Sequence, residues 1–160
     1  MTVNIRRFMT TISASAILAI GASAASAATS PVVGTWEMNI AKSSVENPPK
    51  SETFTFASSD KGITLTSNVT GADGKQTSHT SDPSPWDGAA HATTDSKDHD
   101  AVTAKSVGAG IYRYSFTKAG AVVNSGTLAV SKDNSILTIA GSRTSTKGAK
   151  AYYNIVFDRK

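Results

Sequence analysis

His91, Asp95 and His99 stand four residues apart, with Asp98 and Asp100 beside the last of them. They form the densest group of ionisable side chains in the chain. Imidazole and carboxylate together can ligate a transition metal, and a histidine next to an acid is a general acid–base pair. On a helix this spacing would put all three on one face. The flanking residues read as strand, loop and strand, so the spacing loses that meaning. His91 falls on a strand with an inward face open to it, and His99 falls in a polar loop. A solvated loop of acidic turn formers is the plainer reading. His91 remains a candidate acid–base residue, and His91, Asp95 and His99 remain candidate metal ligands.

Other reaction chemistry is poorly supplied. There is no cysteine, which excludes disulfides, thiol nucleophiles and thiolate metal sites. Serines are abundant, but no Gly-x-Ser-x-Gly turn presents one as a nucleophile. Glu37, Glu46 and Glu52 are the only glutamates, and they form no recognisable acid–base pair. Gly108-x-Gly110 is a turn signal and not a phosphate loop. No motif implies a cofactor. The formal net charge is +4, of which Arg6 and Arg7 carry two at the extreme N-terminus. No Lys/Arg cluster with interleaved aromatics is present, so nucleic acid is not an expected partner.

Aromatic residues offer a different chemistry. Tyr112 and Tyr114 alternate along one stretch, Phe54 and Phe56 along another, and Tyr153 along a third. Side chains two apart on a strand share a face. If those faces point inward, the five rings and His91 would line an apolar cavity able to bind one small ligand. The same rings would equally serve as ordinary core. Arg113 alternates with Tyr112 and Tyr114 and should face solvent.

The elements that must position these residues begin after an export signal. Arg6-Arg7, the apolar run from Ile12 to Ile20 and the Ala25-Ser26-Ala27 cleavage site make a secretory signal over residues 1–27. The apolar run is shorter than the ~20 residues a membrane span needs. The expected mature protein, residues 28–160, is one domain with no integral membrane segment. Its expected location is the periplasm or the extracellular space.

From Val33 onward the pattern is all-β. About ten short strands are predicted, over 33–39, 52–57, 63–70, 76–86, 89–94, 101–107, 111–118, 121–130, 135–142 and 149–158. Residues 41–45 form a connector with one helical turn that folds over one end. Ala72-Asp73-Gly74-Lys75 is a hairpin signal, and Trp86-Asp87-Gly88 reads as a further turn. Pro83 and Pro85 cannot donate ladder hydrogen bonds, so the fourth segment is an edge, a bulge or a break. Nearest-neighbour hairpins predict an up-and-down antiparallel β-barrel of eight to ten strands, whose closure would remove exposed edges. An open sandwich is the alternative.

The opening Gly34-Thr35-Trp36-Glu37-Met38-Asn39-Ile40-Ala41-Lys42-Ser43 resembles the "GTWKLNxAKS" start of a group of small secreted bacterial lipocalin-like proteins. The likeness continues through Asp73-Gly74-Lys75, Trp86-Asp87-Gly88, Asp98-x-Asp100, Val130-Ser131-Lys132-Asp133 and Val156-Phe157-Asp158. It implies a calycin-type β-barrel and no particular reaction. It also implies that Gly34 and Trp36 mark the closed end, with Arg159 of the last strand over the indole. Pro83 and Pro85 depart from the resemblance and put regular pairing there in doubt. The expected function is binding of a small apolar or amphipathic molecule, with no catalysis required. Two alternatives stand beside it. One is a small barrel enzyme using His91 with Tyr112 or Tyr114; the other is a structural envelope protein with a filled core.

Overall fold

The computed structural model describes residues 30–160 apart from Asp95 and Thr146. The expected signal segment, residues 1–27, lies outside the described residues, as does Asp95 of the candidate metal group. Ten strands follow one another: β1 (Gly34–Met38), β2 (Ser51–Ser59), β3 (Gly62–Thr70), β4 (Gln76–Thr80), β5 (Asp87–Ala92), β6 (Ala101–Gly108), β7 (Ile111–Lys118), β8 (Ala121–Val130), β9 (Ile136–Thr144) and β10 (Lys150–Arg159). They form a single antiparallel sheet in the order β4-β3-β2-β1-β10-β9-β8-β7-β6-β5. Every sequence neighbour is a spatial neighbour except β4 and β5, and β1 joins the first strand group to the last. Among the described residues no helix is long and apolar enough to cross a membrane.

The pattern of β1 explains its central place. Trp36 and Met38 are buried while Glu37 between them is exposed, so one face belongs to the core and the other to water. After Met38 a single 3-10 turn over Ile40–Lys42, capped by Asn39, interrupts the strand. The chain then returns to β10, where Ser44 and Asn154 exchange backbone hydrogen bonds of 2.7 and 3.0 Å. That return carries the connector across one end of the sheet.

The closed end is plugged by Trp36, Phe157, Leu137 and Val32, all fully buried. The Trp36 indole N–H donates to the Val32 carbonyl at 2.8 Å. Above the ring, at 4.2 Å from its centroid, lies the Arg159 guanidinium. Arg159 also donates to the carbonyls of Val33 (3.1 Å), Pro31 (2.6 Å) and Asn134 (2.6 Å). One side chain thus satisfies three loop carbonyls and covers the indole face. Gly34, at φ 136°, is what lets the backbone pass: a Cβ there would lie 2.5 Å from the Arg159 Nη1.

Full closure of the ring is not reached, because the ladder ends at β4 and β5. Beyond β4 the chain keeps pairing back onto β3 instead of forward onto β5. Ser81 donates to Leu65 at 2.8 Å, and Ile63 and Ser84 exchange bonds of 2.9 and 3.0 Å. Pro83 and Pro85 bring no donors, so this stretch has little to offer a second neighbour. A side chain crosses the seam: the Asp82 carboxylate accepts from the Thr94 amide (2.8 Å) and hydroxyl (3.1 Å). The expected turn at Trp86-Asp87-Gly88 is also different. The reversal occurs earlier, and β5 already begins at Asp87. Gly88, at φ 89°, sits in a register shift between Asp87 and Ala90, where positive φ serves a bulge.

Candidate functional site

Inside the curled sheet lies a cavity of about 490 Å³. Its walls can be read in rows, because directly paired residues share a face. One row on β7–β10 is Tyr112–Leu128–Ile139–Ile155. Of these, Leu128, Ile139 and Ile155 line the cavity, facing Phe56, Ile63, Leu65 and Trp86. The floor is therefore apolar and aromatic. Phe56 meets Trp86 edge-on at 6.2 Å, and Trp86 meets Tyr112 at 5.0 Å.

The middle row is Tyr114–Gly126–Gly141–Tyr153. The two central glycines leave a trough in which the flanking rings reach toward each other. A Cβ on Gly126 would lie 2.7 Å from the Tyr114 hydroxyl, and one on Gly141 would lie 2.7 Å from that of Tyr153. The hydroxyls meet at 2.6 Å, and Tyr153 donates onward to Asn124 Oδ1 at 2.6 Å. With its own proton committed there, Tyr153 accepts from Tyr114. Burial, together with donation to Tyr153, pushes the Tyr114 hydroxyl well above the usual phenol range, so it stays neutral.

The row nearest the open end is Phe116–Asn124–Arg143–Ala151. All four line the cavity. Arg143 is exposed at this mouth and makes no ion pair with a described residue. Val45 and Glu46 of the connector and Glu52 at the start of β2 also line the cavity. Burial pushes the Glu52 carboxyl up, while a hydrogen bond from Ser67 and the charge of Arg143 pull it partly back. Along the seam, His79, Ser81, Asp82, Thr93 and His99 also line the cavity. Thr93 Oγ1 is a buried oxygen with no partner among the described residues.

The residues singled out from the sequence separate into two groups. Phe54, Phe56, Tyr114 and Tyr153 line the cavity. Tyr112 does not: it is buried beneath the floor, with its hydroxyl 2.6 Å from Ser30 Oγ. His91 is not among the lining residues either. Its imidazole Nε2 lies 2.9 Å from the Asp87 carboxylate, four residues back across the β5 bulge. That pairing lowers the Asp87 pKa. His99 packs its ring 4.5 Å from that of Phe116 and does line the cavity. The pairing of His91 with Tyr112 or Tyr114 that an acid–base site would need is thus not assembled: His91 meets Asp87, Tyr112 meets Ser30 and Tyr114 meets Tyr153. Among the described residues no three His, Asp or Glu side chains are grouped to hold a metal.

Sequence reasoning missed Arg143, Glu52, Trp86 and the seam histidine His79. For Arg143 the signal was present: it follows Ile139 and Gly141 at even spacing, so the face that buries Ile139 also carries Arg143. Trp86 was hidden by the turn reading of its neighbours Asp87 and Gly88.

No protein-family model matches the chain. No curated protein matches it. Among solved structures, the chain is similar to zebrafish ileal bile acid-binding protein, described in complex with cholic acid. The identity is 13% and the TM-score 0.52, over 82% of this chain and 100% of that one. It is also similar to Ex-FABP, a siderocalin described as functioning through dual ligand specificities. There the identity is 9% and the TM-score 0.44, over 82% of this chain and 71% of the other. The likeness to the zebrafish protein shows a shared fold, and this chain is an all-β sheet of ten up-and-down antiparallel strands curled around a cavity.

Proposed function

We propose that the protein holds a small apolar or amphipathic molecule in the cavity between its strands. The observation that carries this reading is the cavity itself, at about 490 Å³. Ligand pockets commonly measure about 300–1,000 Å³ and are mostly apolar, with a few placed polar groups. Protein interiors otherwise leave few voids larger than a water molecule. A purely structural barrel would be expected to fill such a space with its own side chains. The layering supports an amphipathic guest in particular, with Leu128, Ile139 and Trp86 below and Asn124 and Arg143 above. Cholic acid, the molecule described with the zebrafish protein, is itself amphipathic.

The protein acts after export in this reading, in the periplasm or outside the cell, as the single domain 28–160. Support for export comes from Arg6-Arg7, the short apolar run and Ala25-Ser26-Ala27. The test is mass spectrometry of small molecules that co-purify with the protein from its native host, joined to a thermal-shift panel of fatty acids and aromatics. A retained molecule that is lost when Leu128→Trp fills the floor agrees with the proposal. No retained molecule and no shift across the panel would contradict it.

A further inference from the structure

Lys105 of β6 and Arg113 of β7 are direct register partners. They alternate with Ala104, Tyr112 and Tyr114, which are buried or line the cavity, so both project from the outer face. Like charges directly opposite each other destabilise a strand pair. Neither cation makes an ion pair with a described residue. Asp87 stands on the far side of Lys105 in the same row, but its carboxylate is already engaged by His91 at 2.9 Å and by the Ala89 amide at 2.8 Å. The Lys105 stem lies along Gly88, where a Cβ would be 3.3 Å from the Lys105 Cδ.

The same hairpin ends in an apolar tip. Val107 is 44% exposed and Ile111 42%, with only Gly108, Ala109 and Gly110 between them, and no charged side chain stands between Lys105 and Arg113 in sequence. The Ser106 hydroxyl turns back onto the Gly108 carbonyl at 3.2 Å. Gly110 accepts from Val130 at 2.8 Å, next to Leu137 in the ladder, which places the tip at the plugged end of the sheet. In the adjoining turn Lys132 adds a cation, while the Asp133 carboxylate is held by the hydroxyls of Ser131 and Ser135. A single exposed aliphatic is ordinary. Two on one turn beside two uncompensated cations form a composite surface.

We infer that this hairpin docks on a lipid surface rich in anionic headgroups. Val107, Ala109 and Ile111 enter the boundary beneath the headgroups, and Lys105 and Arg113 meet the phosphates. Charge complementarity names the partner. Phosphates set between the two cations relieve their repulsion, and the acyl layer covers the aliphatics. A free phosphate would do only the first, and a neutral apolar surface only the second. None of Lys105, Val107, Ile111 and Arg113 lines the cavity, so docking is independent of what the cavity holds and leaves its open end turned away from the lipid.

The test is flotation of the protein with vesicles of phosphatidylcholine alone and of equal parts phosphatidylcholine and phosphatidylglycerol, at low ionic strength. Wild type should bind the anionic vesicles at least about 10-fold more tightly than the neutral ones. Lys105→Gln with Arg113→Gln should remove most of that difference. Val107→Ser with Ile111→Ser should weaken binding to the anionic vesicles about 10-fold. Lys118→Gln with Lys150→Gln removes the same charge at the open end and should change binding by less than about 3-fold. All six positions are exposed, so the urea midpoints should stay close to wild type. No association of wild type with the anionic vesicles would overturn the inference. An equal loss in the open-end variant would overturn it too, because net charge alone would then drive binding. Unchanged binding by the serine variant would mean that no aliphatic enters the lipid. Retention on immobilised polyglutamate but not on the vesicles would overturn it in favour of an acidic protein partner.

Discussion

Replacing Gly141 with alanine tests the packing that shapes the cavity wall. The new methyl would lie 2.7 Å from the Tyr153 hydroxyl and 2.9 Å from its Cζ, and against the Ser125 carbonyl. All three approaches are well inside van der Waals contact, so the Tyr153 ring must leave the trough. Leaving it breaks the bond from Tyr114 and the bond to Asn124. Two such bonds contribute about 0.5–1.5 kcal/mol each, and overpacking a fitted site costs about 1–3 kcal/mol. The expected destabilisation is about 2–6 kcal/mol. For a domain of this size that corresponds to a fall in Tm of roughly 6 °C or more. The assay is urea unfolding of a double-mutant cycle with Gly141→Ala and Tyr153→Ala. With the ring gone, alanine at 141 should lose the part of its cost that the ring imposes and keep the part imposed by the Ser125 carbonyl, giving a coupling of about 1 kcal/mol or more. An equal cost in both backgrounds would refute the reasoning, because the strain would then lie with the Ser125 carbonyl alone. A cost below about 0.5 kcal/mol, the range of ordinary surface substitutions, would refute it too.

Three further outcomes are expected. Arg159→Ala removes the donor to Pro31, Val33 and Asn134 and bares Trp36; chemical denaturation should show a loss of about 2–4 kcal/mol, and Arg159→Lys should recover only part of it, whereas full recovery would mean the fork geometry is irrelevant. Glu52 has its pKa raised from 4.5 by burial, so the stability tied to its proton is complete below pH 4.5 and is lost as pH rises through the raised value. Glu52→Gln should therefore gain stability over wild type near pH 8 but not near pH 4, and a pH-independent difference in urea midpoints would contradict this assignment. Asp133 is held down to about 2 by the hydroxyls of Ser131 and Ser135 and the Ser135 amide. The contribution of this turn is present above the ordinary value of 3.8 and fades as pH falls toward 2; an NMR titration of Asp133 centred near 3.8 would show that these bonds do not form.

Much of the fold was legible because strands declare themselves by alternation. Trp36 and Met38 against Glu37, or Phe54 and Phe56 against their threonines, give period two without ambiguity, and the Asp73-Gly74 hairpin follows from positive φ. The seam was harder. Pro83 and Pro85 announced an irregular stretch, but whether the chain there would pair back onto β3 or forward onto β5 depends on a choice between two neighbours, which a local pattern does not encode. Gly88 shows the same limit, since glycine at positive φ serves a turn or a bulge equally well.

The site was legible only in part. Alternation correctly groups Tyr112 with Tyr114, yet it says nothing of depth along the barrel, and depth is what puts Tyr112 beneath the floor and Tyr114 at the wall. His91 looked available because a strand there could turn its ring inward, and its partner Asp87 comes within reach through the β5 bulge. Arg143 was overlooked for the opposite reason. An arginine in a strand reads as a solvent-facing residue, although the parity of Ile139 and Gly141 puts it on the inner face.

The most direct measurement follows the methyl groups of the domain by NMR during titration with dodecanoate. A guest inside the curled sheet must shift the methyls of Leu128, Ile139 and Ile155, which line the cavity. It must leave Val32 and Leu137, fully buried at the plugged end, unmoved. Shifts confined to the exposed Val107, Ile111 and Val122, or no shifts at millimolar probe, would contradict the account that this cavity is a binding site.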